Sequence, residues 1–143
     1  SVELARQSVE AENLQDRVSV IYGDVEELEA QAEFSDVEVL FCFFMGHDLW
    51  PREKCLASLR RFRAVFPRAR RFLLCDTYRS ELPPSPDTPI FTLGFELTHA
   101  VMGQYIPSVS EWIDVFAEAG WDCVERRDVG IPFSCIFDLR NSD

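Results

Sequence analysis

Residues 37–50 read VEVLFCFFMGHDLW. The first eight are almost continuously apolar and rich in branched and aromatic side chains, the pattern of a short strand covered on both faces, as in a parallel sheet. Gly46, His47 and Asp48 follow the run. Pro51 opens a helix whose apolar stripe is Cys55, Leu56, Leu59, Phe62 and Phe66, with Arg60, Arg61 and Arg63 on the wet side. Pro67 ends this helix, and 69–76, ARRFLLCD, is a second buried strand. Strand, helix and returning strand make a crossover unit of the α/β class.

The flanks extend the alternation. In 1–17, Val2, Ala5, Val9 and Leu14 recur at near-helical spacing, and Ser1 or a residue before it is the expected cap. Residues 18–24, VSVIYGD, read as a short strand, and 25–31 as a brief acidic helix. The four prolines of 81–89, ELPPSPDTP, exclude regular structure there. Residues 90–104 are apolar and roughly helical. Ser108 or Ser110 caps the next helix, which Gly120 ends. Residues 121–130 and 131–140 form a terminal strand pair. The expected fold is one α/β domain: a mainly parallel sheet with helices on both faces and an antiparallel carboxyl-terminal pair. The chain opens on a helix, and the starting strands of a doubly wound fold are expected to lie outside it.

The 143 residues are 47% hydrophobic with 12 Phe, enough for one sizeable core. A net charge of −11 opposes nucleic acid and anionic membrane as partners. The five cysteines form no C-x-x-C pair and lie largely in apolar runs, so they read as free thiols of a reducing, cytoplasmic compartment.

The chain has two histidines. His47 and Asp48 follow a strand directly, where ligands of open α/β sheets bind, and Gly46 gives that turn backbone freedom. His99 lies in the apolar segment after the prolines. Two imidazoles and a carboxylate are the ligand set of a facial triad, suited to iron and also to zinc. Against this stands a plain reading: Asp48 in a turn or cap, and His99 as a hydrogen-bonded core residue. Asp76 and Glu96 are the candidate proton acceptors, with helix capping and a solvated face as their alternatives. Trp50, Phe91, Phe95 and Met102 could wall a pocket, and Arg79 could hold a substrate carboxylate.

SVELARQSVEAENLQDRVSVIYGDVEEL, VEVLFCFFMGHDLW and EWIDVFAEAGWDCVERRDVG together resemble, in order and spacing, the carboxyl-terminal two-thirds of class I S-adenosylmethionine-dependent methyltransferases. The resemblance implies a Rossmann-like sheet, with Gly23, Asp24 and Val25 along the adenine and the Asp24 carboxylate accepting from its amine. The family's G-x-G-x-G turn is not in this sequence, so the 143 residues by themselves are expected neither to bind the cofactor tightly nor to turn over.

FFMGHDLWPRE, LLCDTYR and GFELTHAVMGQYIPS further resemble the α-keto acid C-methyltransferases, the group of the 2-ketoarginine and phenylpyruvate methyltransferases. This implies a metal on His47, Asp48 and His99, a small α-keto acid substrate, a substrate-covering insert over 86–109, and a homodimer in the full-length protein. The methyl group would join the carbon beside the ketone. A metal-independent O- or N-methyltransferase, with a histidine as general base, and a non-catalytic binding module are the alternatives.

Overall fold

The computed structural model describes residues 2–81, 83 and 85–142. Its elements run α1 (Val2–Ala11), β1 (Val39–Phe43), α2 (Arg52–Val65), β2 (Arg71–Thr77), α3 (Ile90–Val101), α4 (Val109–Glu118), β3 (Trp121–Asp128) and β4 (Ser134–Asn141). The sheet order is β1-β2-β4-β3. β1 and β2 are parallel, joined through α2, and β4 runs antiparallel to both β2 and β3. The parallel character of the sheet rests on that first pair, and the terminal antiparallel pair is present as expected. Among the described residues no helix is long and apolar enough to cross a membrane.

Register decides what is buried. Leu40 and Cys42 pair with Phe72 and Leu74, which in turn oppose Leu139 and Phe137. These side chains share one face, and α2 and α4 close over it. Cys55, Leu59 and Phe62 from α2 meet Trp112, Val115 and Phe116 from α4 in one core with Trp121. Four of its aromatic rings form a connected set: Trp112 stacks on Phe116, and both lie against Phe137, while Trp50 meets Trp112 edge-on. On the other face Arg71 grips the Asp138 carboxylate through two bonds, of 3.1 and 2.7 Å.

α4 is closed at both ends by side chains. Ser108 and Glu111 form a reciprocal capping box. At the far end Arg63 donates to the Ala119 and Ser142 carbonyls. Gly120 takes φ +82° against that guanidinium, and a Cβ there would stand 1.7 Å from Arg63 Nη1. The positive φ therefore calls for glycine just past the C-cap, and a side chain there would also have to displace the Arg63 guanidinium.

Several expectations differ from the structure. Residues 18–24 form no strand, and 25–31 no helix; a 3-10 turn, Ala32–Phe34, follows them instead. A strand exists only through its ladder, and among the described residues nothing lies beside 18–24 to pair with it. β1 is not covered on both faces: Phe41 is 65% exposed and Phe43 49%. It is an edge strand here. α1 forms but buries none of its residues, and its expected cap at Ser1 lies outside the described residues. The five cysteines are unpaired as expected. Burial pushes the Cys55 and Cys135 thiols up to about 12, so they are inert packing groups.

Two measurements test this packing. Leu59 is fully buried, so Leu59→Ala is expected to cost about 2–5 kcal/mol in urea unfolding of the intact protein; a cost near zero would mean that α2 does not seat as described. Burial alone would raise the Glu111 carboxyl, but bonds from Ser108, Tyr105 and Arg79 lower it below its ordinary 4.5. Its folded value being depressed, its contribution is complete above 4.5 and is lost as pH falls through the folded value. The stability margin over Glu111→Gln should therefore shrink on acidification, and a margin independent of pH would remove this account.

Candidate active site

β1 and β2 run parallel and end side by side. β1 leads through Phe44, at φ 55°, into a 3-10 turn, Gly46–Leu49. The turn carries His47 and Asp48 to the carboxyl end of the sheet. The freedom expected of Gly46 is not what the site uses, because its φ is not among the positive ones. Its need is space: a Cβ on Gly46 would stand 2.8 Å from Asp76 Oδ2 and 3.2 Å from both Leu74 and Trp112.

Asp76, near the end of β2, is fully buried. Its Oδ2 accepts from the His47 backbone N–H at 2.8 Å, and its Oδ1 from the Thr77 N–H at 2.7 Å. His47 Nδ1 lies 2.8 Å from Oδ1 and is the natural donor to it. A buried carboxylate requires such donors. Of the two candidate proton acceptors, Asp76 is thus turned onto His47. Burial alone would lower the His47 imidazolium, but the hydrogen bond and charge of Asp76, with Asp48 adding to them, raise it above its ordinary value. The strand parity of Asp76 with Phe72 and Leu74 places it on the core face, and that was the sequence signal for this role.

α3 brings the second imidazole. His99 lies with its ring centroid 4.9 Å from that of His47, nearly perpendicular to it. Its Nδ1 is 2.8 Å from the Phe95 carbonyl, one turn back. Both rings therefore have Nδ1 tied to an oxygen and Nε2 left for a ligand, the arrangement of metal-binding histidines held from behind. Phe95 packs on both, at 4.0 Å from His99 and 5.6 Å from His47, and Phe91 stacks on Phe95.

Asp48 is partly exposed, with Oδ1 3.9 Å from His47 Nε2. Two ligand atoms at about 2.1 Å from one ion, at right or tetrahedral angles, stand roughly 3.0–3.4 Å apart. Among the described residues no three His, Cys, Asp or Glu side chains already stand as a metal cluster. The donor set has the right chemistry, and its His47–Asp48 pair lies within about 1 Å of the spacing an ion would impose.

The other expected residues divide. Val25 shares an apolar trough of about 370 Å³ along β1 with Met45 and Asp48, which links the 23–25 loop to the imidazole end of the sheet. Gly23 is not part of that lining. Asp24 is exposed and accepts from the Glu26 N–H at 2.9 Å. Glu96 accepts from the Ser80 N–H at 2.8 Å. Arg79 is engaged by Glu111 at 3.1 Å and by the Ile106 carbonyl at 3.3 Å. Trp50 is buried between Tyr105 and Trp112, so it belongs to the core rather than to an open wall. Met102 is 57% exposed.

No family model matches the sequence. Curated relatives do. Over 151 residues the chain is 42% identical to "Methyltransferase ungE'" of Aspergillus campestris (strain IBT 28561), matching 99% of this chain and 44% of that protein. Over 144 residues it is 34% identical to indolepyruvate C-methyltransferase of Streptomyces griseus, matching 100% of this chain and 43% of that protein. The mitomycin 7-O-methyltransferase MmcR has the same fold, with a TM-score of 0.78 over 98% of this chain and 39% of that one, at 23% identity. The chain is similar in sequence to proteins named as methyltransferases and shares the fold of S-adenosylmethionine-dependent ones. It spans 43–44% of the length of these two curated relatives. The strand order β1-β2-β4-β3 places His47, His99 and Asp76 together at the carboxyl end of the parallel strands of this Rossmann-like sheet.

Gly46→Ala tests the close approach behind His47. The added methyl is expected to push the Asp76 carboxylate away, at a cost of about 1–3 kcal/mol. The low-field imidazole proton of a buried His–Asp pair should vanish from the NMR spectrum. A spectrum like that of the parent protein would show that the tight packing is not needed.

Proposed function

We propose that the protein to which this chain belongs transfers a methyl group to the carbon beside the ketone of an α-keto acid, with a metal ion held by His47, Asp48 and His99. The observation that carries the proposal is the pair of imidazoles 4.9 Å apart, each with Nδ1 bonded to a protein oxygen. A relative named for C-methylation of indolepyruvate, itself an α-keto acid, supports the substrate class.

When bound, S-adenosylmethionine supplies the electrophilic methyl group, and a divalent or trivalent ion, iron or zinc, supplies Lewis acidity. The chain's own residues bind and orient. Asp76 fixes the His47 ring with Nε2 facing outward, and the Phe95 carbonyl does the same for His99. Gly23, Asp24 and Val25 form the adenine-side loop, where the exposed Asp24 carboxylate takes the amine. The 86–109 insert, through α3, covers the substrate and excludes water. Phe91 and Phe95 present an aromatic surface beside the imidazoles, which suits an aryl side chain. In the overall exchange the substrate carbon loses a proton and gains the methyl group, giving a 3-methyl-2-oxo acid and S-adenosylhomocysteine.

The test is metal analysis together with turnover of an aryl α-keto acid by the full-length protein. His99→Ala is expected to lose the ion and to reduce kcat/KM by more than about a hundredfold, the usual ceiling for outer-shell partners. Full activity after chelation would overturn the proposal.

The His47–Asp76 pair also favours a second reading. A histidine made more basic by a buried carboxylate is suited to taking a proton from a substrate hydroxyl, as an O-methyltransferase would require. Under that reading His47→Ala abolishes activity, whereas chelation and His99→Ala spare it.

A further inference from the structure

Gln104 stands three residues beyond the end of α3, just after Gly103 at φ +72°. It makes two bonds of different kinds. Its backbone N–H donates to the His99 carbonyl at 2.8 Å, closing the last turn of α3. Its side-chain Nε2 donates to Asp48 Oδ1 at 2.9 Å, across 56 residues of sequence. One residue therefore joins both segments of the proposed ligand set, the turn after β1 and the helix that carries His99. The other anchors hold the imidazoles: Asp76 takes His47, and the Phe95 carbonyl takes His99. The Asp48 carboxylate is partly exposed, and the amide of Gln104 is the hydrogen-bond donor it has among the described bonds.

We infer that Gln104 is a positioning residue that holds the Asp48 carboxylate facing the two imidazoles. The inference rests on the metal reading above. An exposed aspartate left to itself samples several rotamers, and the ordering must then be supplied when the ion binds. A neutral amide donor fixes one oxygen without adding charge, so the carboxylate keeps its full negative charge for the ion. Lysine or arginine in the same place would compete with the metal for that charge.

The test is metal affinity of the full-length protein, read by chelator competition with zinc in the absence of substrate. Gln104→Met, which keeps the length but lacks the donor, is expected to weaken binding about tenfold, within the range for outer-shell partners. Gln104→Asn, which keeps the amide but shortens its reach, should show the same loss. In an Asp48→Ala background neither change should matter further. An unaltered affinity in both variants, or an equal loss that persists without Asp48, would overturn this inference and leave the metal reading intact. Failure of the parent protein to bind zinc or iron at all would overturn both.

Discussion

The contact on which the site depends is the one between Asp76 and His47. A carboxylate with no exposure to solvent is tolerable only when its oxygens are met by donors, and three converge on it: the His47 ring, the His47 amide and the Thr77 amide. Two strands running in the same direction are what make this possible. β2 delivers the acceptor from the core face, and the turn after β1 returns over it with an N–H and an imidazole. Gly46 is small so that this turn can sit close to the carboxylate, and Leu74 and Trp112 leave no other room.

From that anchor the rest of the arrangement follows in steps. His47 is fixed in tautomer and direction, so Nε2 is the nitrogen available for chemistry. α3 lays His99 and Phe95 against the same ring. The α3–α4 connection returns Gln104 to Asp48, and Arg79 with Glu111 and Tyr105 ties that connection to the start of α4. The aromatic core under α4 then supports the whole end of the sheet. His47 and Asp76 are thus seated in the core, whereas α3, which carries His99, buries only Thr92.

Much of this was legible in the residues. The crossover of 37–76, the helix stops at Pro67 and Gly120 and the terminal strand pair were readable because periodicity, prolines and glycines are local signals. The site of His47 was readable from its place directly after a strand end, and that of His99 from the apolar segment after the prolines together with the family resemblance. What failed depended on neighbours. VSVIYGD has strand composition, yet a ladder needs a partner, and composition carries no information about whether one is present. The exposure of Phe41 and Phe43 has the same origin. The orientation of Asp76 was open to strand parity, but Glu96 and Arg79 were assigned by type, and their bonds to Ser80, Glu111 and Ile106 are tertiary facts. Nothing in the sequence marked Gln104, because an exposed glutamine in a turn is ordinary until its partner is known.

The bare margin of β1 has a consequence for how such a molecule must be made. A strand with open amides and carbonyls beside phenyl rings accepts whichever complementary strand reaches it first. Capture by a neighbouring stretch of one polypeptide proceeds at a rate independent of how crowded the solution is. Capture by a second molecule accelerates with every copy added. Faithful assembly of this sheet is thus a race between a first-order and a second-order event, and dilution is the condition that favours the correct winner.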